Sequence, residues 1–160
     1  MTDIHSIIDK CMVLYTEFDL NAVARLADIY HCDVVFSDPI HQVQGLHSLK
    51  NYFEHICGGS ESHFEFTASL KDGDQAFLRW NMHYSHPKLA GGKALTLKGG
   101  SFLTIHEPSN LIIAQEDYYD MGQMVYRHIP VLGWAVNKIN ANLATNNKPA
   151  SQIMSNEYAK

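Results

Sequence analysis

The period of the hydrophobic residues changes once along this 160-residue chain, and that change constrains the fold more than any motif does. Up to Cys57 the apolar residues recur at helical spacing. Ile4, Ile7, Ile8, Cys11, Tyr15 and Phe18 follow a cap at Thr2; Leu20, Val23, Leu26, Ala27 and Tyr30 follow a cap at Asp19. Leu46, Leu49, Tyr52, Phe53 and Ile56 form a third stripe, stopped by Gly58-Gly59. From Ser62 onward the period is two. "SHFEFTASL", "QAFLRWNMHYSHP", "ALTLKGGSFLTIH" and "LIIAQEDYY" read as strands, separated by "KDGD", "KLAGGK" and "EPSN". A shorter strand, "DVVFSDP", lies between the second and third helices and ends at Pro39, with "HQVQG" as a brief return.

Helices first and neighbouring strands afterwards predict an α+β domain with segregated layers. The expected architecture is a cone-shaped, curved, mixed but mostly antiparallel sheet wrapped around the N-terminal helices. Gly99-Gly100 reads as a bulge or bend that curves the sheet. Such a concavity is the default place for a small ligand. Asp120 and Gln123 fit a capping box, which starts a C-terminal helix at Met121. Leu132, Val136, Ile139 and Leu143 then form an amphipathic stripe over 131–143, read as a lid or dimer contact. The expected division is a domain over 1–144 and a polar, flexible tail over 145–160.

Composition excludes several functions. The net charge is −5, and no Lys/Arg cluster marks a nucleic-acid or anionic-membrane surface. No apolar run approaches the ~20 residues of a membrane span. "MTDIHSIIDK" lacks a basic leader, and the three cysteines, Cys11, Cys32 and Cys57, are widely spaced without a CxxC. The expectation is a cytoplasmic protein with reduced, buried thiols. His83 and His86 fall on opposite strand faces, and no HExxH occurs, so neither metal nor cofactor is expected.

The densest chemistry lies in "AQEDYYDMG", where Glu116, Asp117 and Asp120 crowd a strand end. Strand parity separates them. Gln115, Asp117 and Tyr119 share one face, and Glu116 and Tyr118 the other. If Asp117 lines the pocket, Glu116 faces solvent and Asp120 caps the next helix.

Four strings, "DVVFSDP", "G…LKNYF", "FLRWNMHYSHP" and "NLIIAQEDYYDMG", resemble the SnoaL-like branch of the nuclear-transport-factor-2-like superfamily over roughly residues 3 to 125. That superfamily includes ketosteroid isomerases and limonene epoxide hydrolases. The resemblance implies roles for individual positions. "FSDP" is similar to the isomerase motif whose Asp moves a proton beside a carbonyl, which falls on Asp38. "EDYYD" is similar to the hydrolase "RDYFD", whose first Asp activates water, which falls on Asp117. The hydrolase Arg on the neighbouring strand matches Arg79, and its second acid is Asn81 here. Its Tyr and Asn water ligands correspond to Phe36 and Asp38. The isomerase oxyanion donors fall near Cys11 and near Gly100 or Ser101.

For the long strand two readings stay open. Hydrophobicity puts the face of Leu78, Trp80, Met82 and Tyr84 in the core. The resemblance puts Arg79, Asn81 and His83 inward, and that face is the one assigned to the pocket. The outer face is then the surface of a homodimer. The catalytic set expected is Asp38, Asp117 and Arg79, with Asn81, His83, Tyr119, Phe36, Gln115 and Tyr15 contacting the ligand. Asp38-Pro39 also fits a plain strand-ending turn, and Asp117 with Arg79 a structural ion pair. Two function classes follow. One is a cofactor-free isomerase, hydrolase or cyclase with an Asp base acting on an apolar carbonyl or epoxide compound. The other is a non-catalytic domain that binds an apolar ligand or a protein partner.

Overall fold

A computed structural model of the protein describes residues 6–58, 61–88, 90–124 and 141. It divides into two compact units, Met1–Met121 and Gly122–Lys160. The first holds three helices and the whole sheet. α1 (Ile7–Thr16) starts at Ser6, whose hydroxyl accepts from the Asp9 N–H at 3.2 Å. The Asp9 carboxylate accepts in return from the Ser6 N–H at 3.0 Å, which closes a capping box. The cap expected at Thr2 lies outside the described residues, and the observed helix begins after Ser6.

α2 (Leu20–Ala24) is capped by Asp19 as expected, with the Ala22 N–H donating to Oδ1 at 2.9 Å. It is shorter than its apolar stripe suggests. After one 3₁₀ turn, Leu26–Asp28, the chain enters β1 (Tyr30–Ser37). Leu20 and Ala27 are consequently exposed rather than inward. β2 (Gln42–Gln44) pairs back on β1, and α3 (Leu46–Cys57) ends at Gly58.

β3 (Glu61–Asp72), β4 (Gln75–Ser85), β5 (Leu95–His106) and β6 (Leu111–Tyr119) follow as an antiparallel meander. The sheet order is β2-β1-β6-β5-β4-β3, and only β1 with β6 is parallel. This is the mixed, mostly antiparallel α+β arrangement that the change of period predicts. α4 (Met121–Met124) begins where Asp120 and Gln123 place it. The expected helix over 131–143 lies outside the described residues except for Ala141, and the tail over 145–160 lies wholly outside them.

The core sits between the helices and one sheet face. α1 packs on β3 and α3 on β1. Phe18 stacks on Tyr15 at 4.7 Å between ring centroids and meets Phe53 edge-on at 5.0 Å. Offset and edge-to-face contacts of this kind add about 1 kcal/mol each beyond area burial.

The long strand resolves its two readings by burial. Ala76, Leu78, Trp80 and Tyr84 are buried, whereas Phe77 and Arg79 are exposed. The hydrophobic reading holds, and the placement of Arg79, Asn81 and His83 on the inner face is corrected. The glycine pair needs a second correction. β4 and β5 pair without interruption from Gln75↔Thr104 to Tyr84↔Leu95, so Gly99-Gly100 makes no bulge. Each glycine instead leaves room for an aromatic ring. A Cβ on Gly99 would lie 2.2 Å from the Trp80 ring on the inner face. One on Gly100 would lie 2.6 Å from the Phe77 ring on the outer face. The irregularities fall elsewhere: β1 departs from its β6 ladder between Tyr30 and Val35, β3 from β4 between Phe66 and Ala68, and β5 from β6 between Thr104 and Ile105.

Candidate functional site

Four strands and α1 deliver the buried polar groups. On β6 the parity argument holds: Gln115 is buried, Asp117 and Tyr119 are partly so, and Glu116 and Tyr118 are exposed. Register then sets the neighbours. Ser101 of β5 lies directly between Leu78 of β4 and Asp117 of β6. Its hydroxyl donates to Asp117 Oδ1 at 2.6 Å and accepts from the Trp80 indole N–H at 2.9 Å. The Gln115 amide donates to the same Oδ1 at 2.9 Å. Tyr30 donates to Gln115 Oε1 at 2.5 Å, so the Tyr15–Tyr30 contact at 2.6 Å has Tyr15 as donor. One buried chain of polar groups thus runs from Tyr15 on α1 to the Asp117 carboxyl. Among the described residues no buried side-chain nitrogen or oxygen lacks a partner, which limits the cost of burying the chain.

A narrow cavity of about 10 Å³, room for about one water, opens beside this carboxyl. Its apolar wall consists of Cys11, Tyr15, Phe64, Phe66, Leu78 and Trp80; Ser101, Gln115 and Asp117 supply the polar side. Asp117 keeps some surface as a residue, but its carboxyl is turned inward. Burial pushes the Asp117 pKa up to about 7. The hydrogen bonds from Ser101 and Gln115 oppose the rise, and the negative charge of Asp38 adds to it. Both donors go to Oδ1, so among the described residues Oδ2 has no protein donor. The Cys11 thiol is pushed far up by burial and then by Asp117, which leaves it protonated and unreactive.

Asp38 is differently held. Its Oδ1 accepts from the backbone N–H groups of Ile40 at 2.7 Å and His41 at 2.8 Å, and its own N–H donates to the His41 carbonyl. This is the strand-ending turn that Asp-Pro suggests. Its Oδ2 accepts from the Tyr52 hydroxyl, and its charge acts on Tyr119. Burial, then the Asp38 bond and charge, raise the Tyr52 pKa; burial, then the Asp38 charge, raise that of Tyr119. Phe36 is buried under this group, 5.8 Å from the Tyr52 ring and 5.2 Å from Phe53. Tyr119 feels both carboxylates and so stands between them electrostatically.

Arg79, Asn81 and His83 do not join this group. Arg79 donates through Nε to Thr67 at 3.1 Å on the outer face. Asn81 donates to Glu65 at 3.2 Å, and His83 stacks on His63 and bonds Thr96. The cause is the ladder itself. Trp80 pairs with Gly99, whose missing Cβ leaves the inner face space for the indole, and with Trp80 inward the odd-numbered side chains face outward. Among the described residues, Asp117 therefore has no guanidinium partner.

Sequence reasoning missed Ser101, Trp80 and Tyr30 as polar partners. A signal existed for Ser101: it shares strand parity with Leu97 and Leu103, so a hydroxyl stood among inward apolar positions.

Residues 14–112 match the SnoaL-like domain family. No protein of curated function matches the sequence. Among solved structures, an NTF2-like protein of unknown function from Burkholderia pseudomallei is similar over 79% of this chain and 98% of its own, with 14% identity and a TM-score of 0.66. A protein with a ketosteroid isomerase-like fold from Catenulispora acidiphila, solved with trimethylamine, covers 76% of this chain and 90% of its own at 14% identity and a TM-score of 0.64. A protein described as a SnoaL-like polyketide cyclase, from Shewanella putrefaciens, gives 18% identity and a TM-score of 0.62 over 74% and 90%. At these identities the structural likeness establishes the fold, and it agrees with the sequence match. With the family match spanning α1 to β6, the chain belongs to the SnoaL-like domain family.

Proposed function

We propose that the protein is a cofactor-free enzyme that moves a proton on a small, largely apolar compound carrying a carbonyl or epoxide, with Asp117 as the general acid–base. The observation that carries this reading is the Asp117 carboxyl, held out of water against aromatic walls with a pKa near 7. A group that titrates near the working pH both takes and returns a proton efficiently. With both donors on Oδ1, Oδ2 is the atom that faces the reacting bond. Ser101 and Gln115 keep the carboxyl from rotating; Tyr30 and Tyr15 fix Gln115 in turn. Asp38 acts at a distance, through its charge and through Tyr119, rather than as the base. Proton removal beside a carbonyl is also the step that starts a ring closure, in keeping with the cyclase description of one structural neighbour.

With room for about one water, the cavity lies far below the roughly 300–1,000 Å³ of pockets for drug-sized ligands, so a substrate enters only if the aromatic wall moves aside. The same small volume favours the second reading, a non-catalytic binding domain. The two separate in one experiment. The protein is incubated with a mixed set of lipophilic ketones, lactones and epoxides, and product formation and binding are followed by mass spectrometry. Turnover abolished by Asp117→Asn supports the enzyme. Binding without turnover, unaffected by Asp117→Asn, supports the binding domain.

We further propose that two copies pair through the outer sheet face. Leu70, Phe77 and Phe102 form a row across β3, β4 and β5, and Tyr118 lies beside them; these side chains are 68%, 36%, 38% and 53% exposed. Arg79 and Glu116 flank the row with opposite charges, which suits a two-fold, self-complementary contact.

A further inference from the structure

We propose that His31, Cys32 and Asp33 form a zinc-binding site on β1, separate from the cavity. Consecutive residues of a regular strand point to opposite faces and cannot share an ion. Here the strand is not regular. Tyr30 pairs with Ile112 and Val35 with Ala114, so four residues of β1 stand against one of β6. The extra residues leave the ladder, and the three side chains converge. Their ligand atoms, an imidazole nitrogen, a thiol sulfur and a carboxylate oxygen, lie within 4.8 Å of one another.

The spacing is close to what zinc requires. Bonds of about 2.1 Å to nitrogen and 2.3 Å to sulfur, at the tetrahedral angle, set those two atoms roughly 3.6 Å apart. Cys32 Sγ lies 3.7 Å from His31 Nδ1. Asp33 Oδ2 is 3.9 Å from the same nitrogen and needs to move inward by about half an ångström. The Asp33 N–H donates to His31 Nδ1 at 3.1 Å, so this nitrogen carries the lone pair, the tautomer a metal needs. The ion takes the place of that bond. His106 packs on His31 with ring centroids 4.8 Å apart and is bonded to Ser109 at 2.8 Å, which steadies the imidazole.

The donor set selects the metal. A thiolate with an imidazole suits zinc far better than calcium or magnesium. The thiol releases its proton on binding, and thiolate plus carboxylate then balance the two charges of the ion. Three protein ligands leave a fourth position for water. The expectation of no metal rested on the spacing of His83 and His86, which says nothing about a bulge in β1.

The test uses the full chain, reduced and stripped of metal, titrated with zinc against a chromophoric chelator and, separately, with cobalt(II). One equivalent bound with micromolar or tighter affinity is expected, with a thiolate-to-cobalt charge-transfer band. Cys32→Ser should remove the band, and Cys32→Ser and Asp33→Asn should each weaken zinc by at least about tenfold. Cys57→Ser should change nothing. Cys32 and Asp33 are exposed, so these variants should fold, which circular dichroism checks. No binding, or binding that survives Cys32→Ser and is lost on removing His63 and His83, overturns the proposal.

Discussion

Asp117 makes the protein sensitive to pH in a direction its chemistry fixes. Its ordinary value is 3.8 and its folded value about 7. Between those values the folded chain keeps a proton that the unfolded chain has lost. Stability from this group is therefore full below pH 4 and is lost as pH rises through 7. A difference of that size corresponds to at most about 4 kcal/mol. Urea unfolding from pH 4 to 8 should show the decline, and Asp117→Asn should flatten it and be the more stable protein at pH 8. An Asn there still accepts from Ser101 and Gln115. A wild-type curve no steeper than that of the variant would remove the basis for the buried acid. The glycine pair allows a second comparison. Gly99→Ala drives a methyl into the Trp80 ring, which is buried and tied to Ser101, and should cost about 1–3 kcal/mol with a changed tryptophan fluorescence. Gly100→Ala meets Phe77, which is part-exposed and free to swing outward, so its cost should be clearly smaller.

The faces of β4 carry the main correction to the sequence reading. The hydrophobic pattern of this strand put the Trp80 face in the core, whereas the family resemblance put the face of Arg79, Asn81 and His83 there. Burial decided for Trp80, and Arg79 lies with Thr67 outside. Arg79→Ala should accordingly leave the titration midpoint of Asp117 unchanged, read from its carboxyl carbon shift by NMR. A midpoint that rises on losing the cation would return Arg79 to the site. β6 was legible because its two faces differ in kind. Gln115 and Asp117 belong together only by parity, and parity survives as long as the strand is regular there. The second half of β1 was read as a strand, but its irregular stretch between Tyr30 and Val35 was not, since a bulge leaves no trace in a hydrophobic pattern.

For the assembled protein, the exposed row of Leu70, Phe77 and Phe102 predicts self-association. Sedimentation velocity should show a dimer, and Phe77→Lys, which places a charge in the middle of the row, should yield monomers with an unchanged far-ultraviolet spectrum. A wild-type monomer at high micromolar concentration would end that proposal. Among the described residues, no helix is long and apolar enough to cross a membrane.

The sequence by itself determined the helices, the strands, their order, the family, and Asp117 as the inward carboxylate. The helices, the strands and their order follow from local period and local turn chemistry; the family and the place of Asp117 follow from the resemblance that its strings carry. The tertiary structure decided what stands next to Asp117. Ser101, Trp80 and Tyr30 come from three other strands, and Arg79 is turned away, because cross-strand register and the space above Gly99 depend on residues tens of positions apart. It also gave Asp38 its bond from the Tyr52 hydroxyl, which joins those from the Ile40 and His41 N–H groups in holding its carboxylate in the turn. A carboxyl's pKa belongs to its surroundings, and those surroundings exist only after the strands have paired.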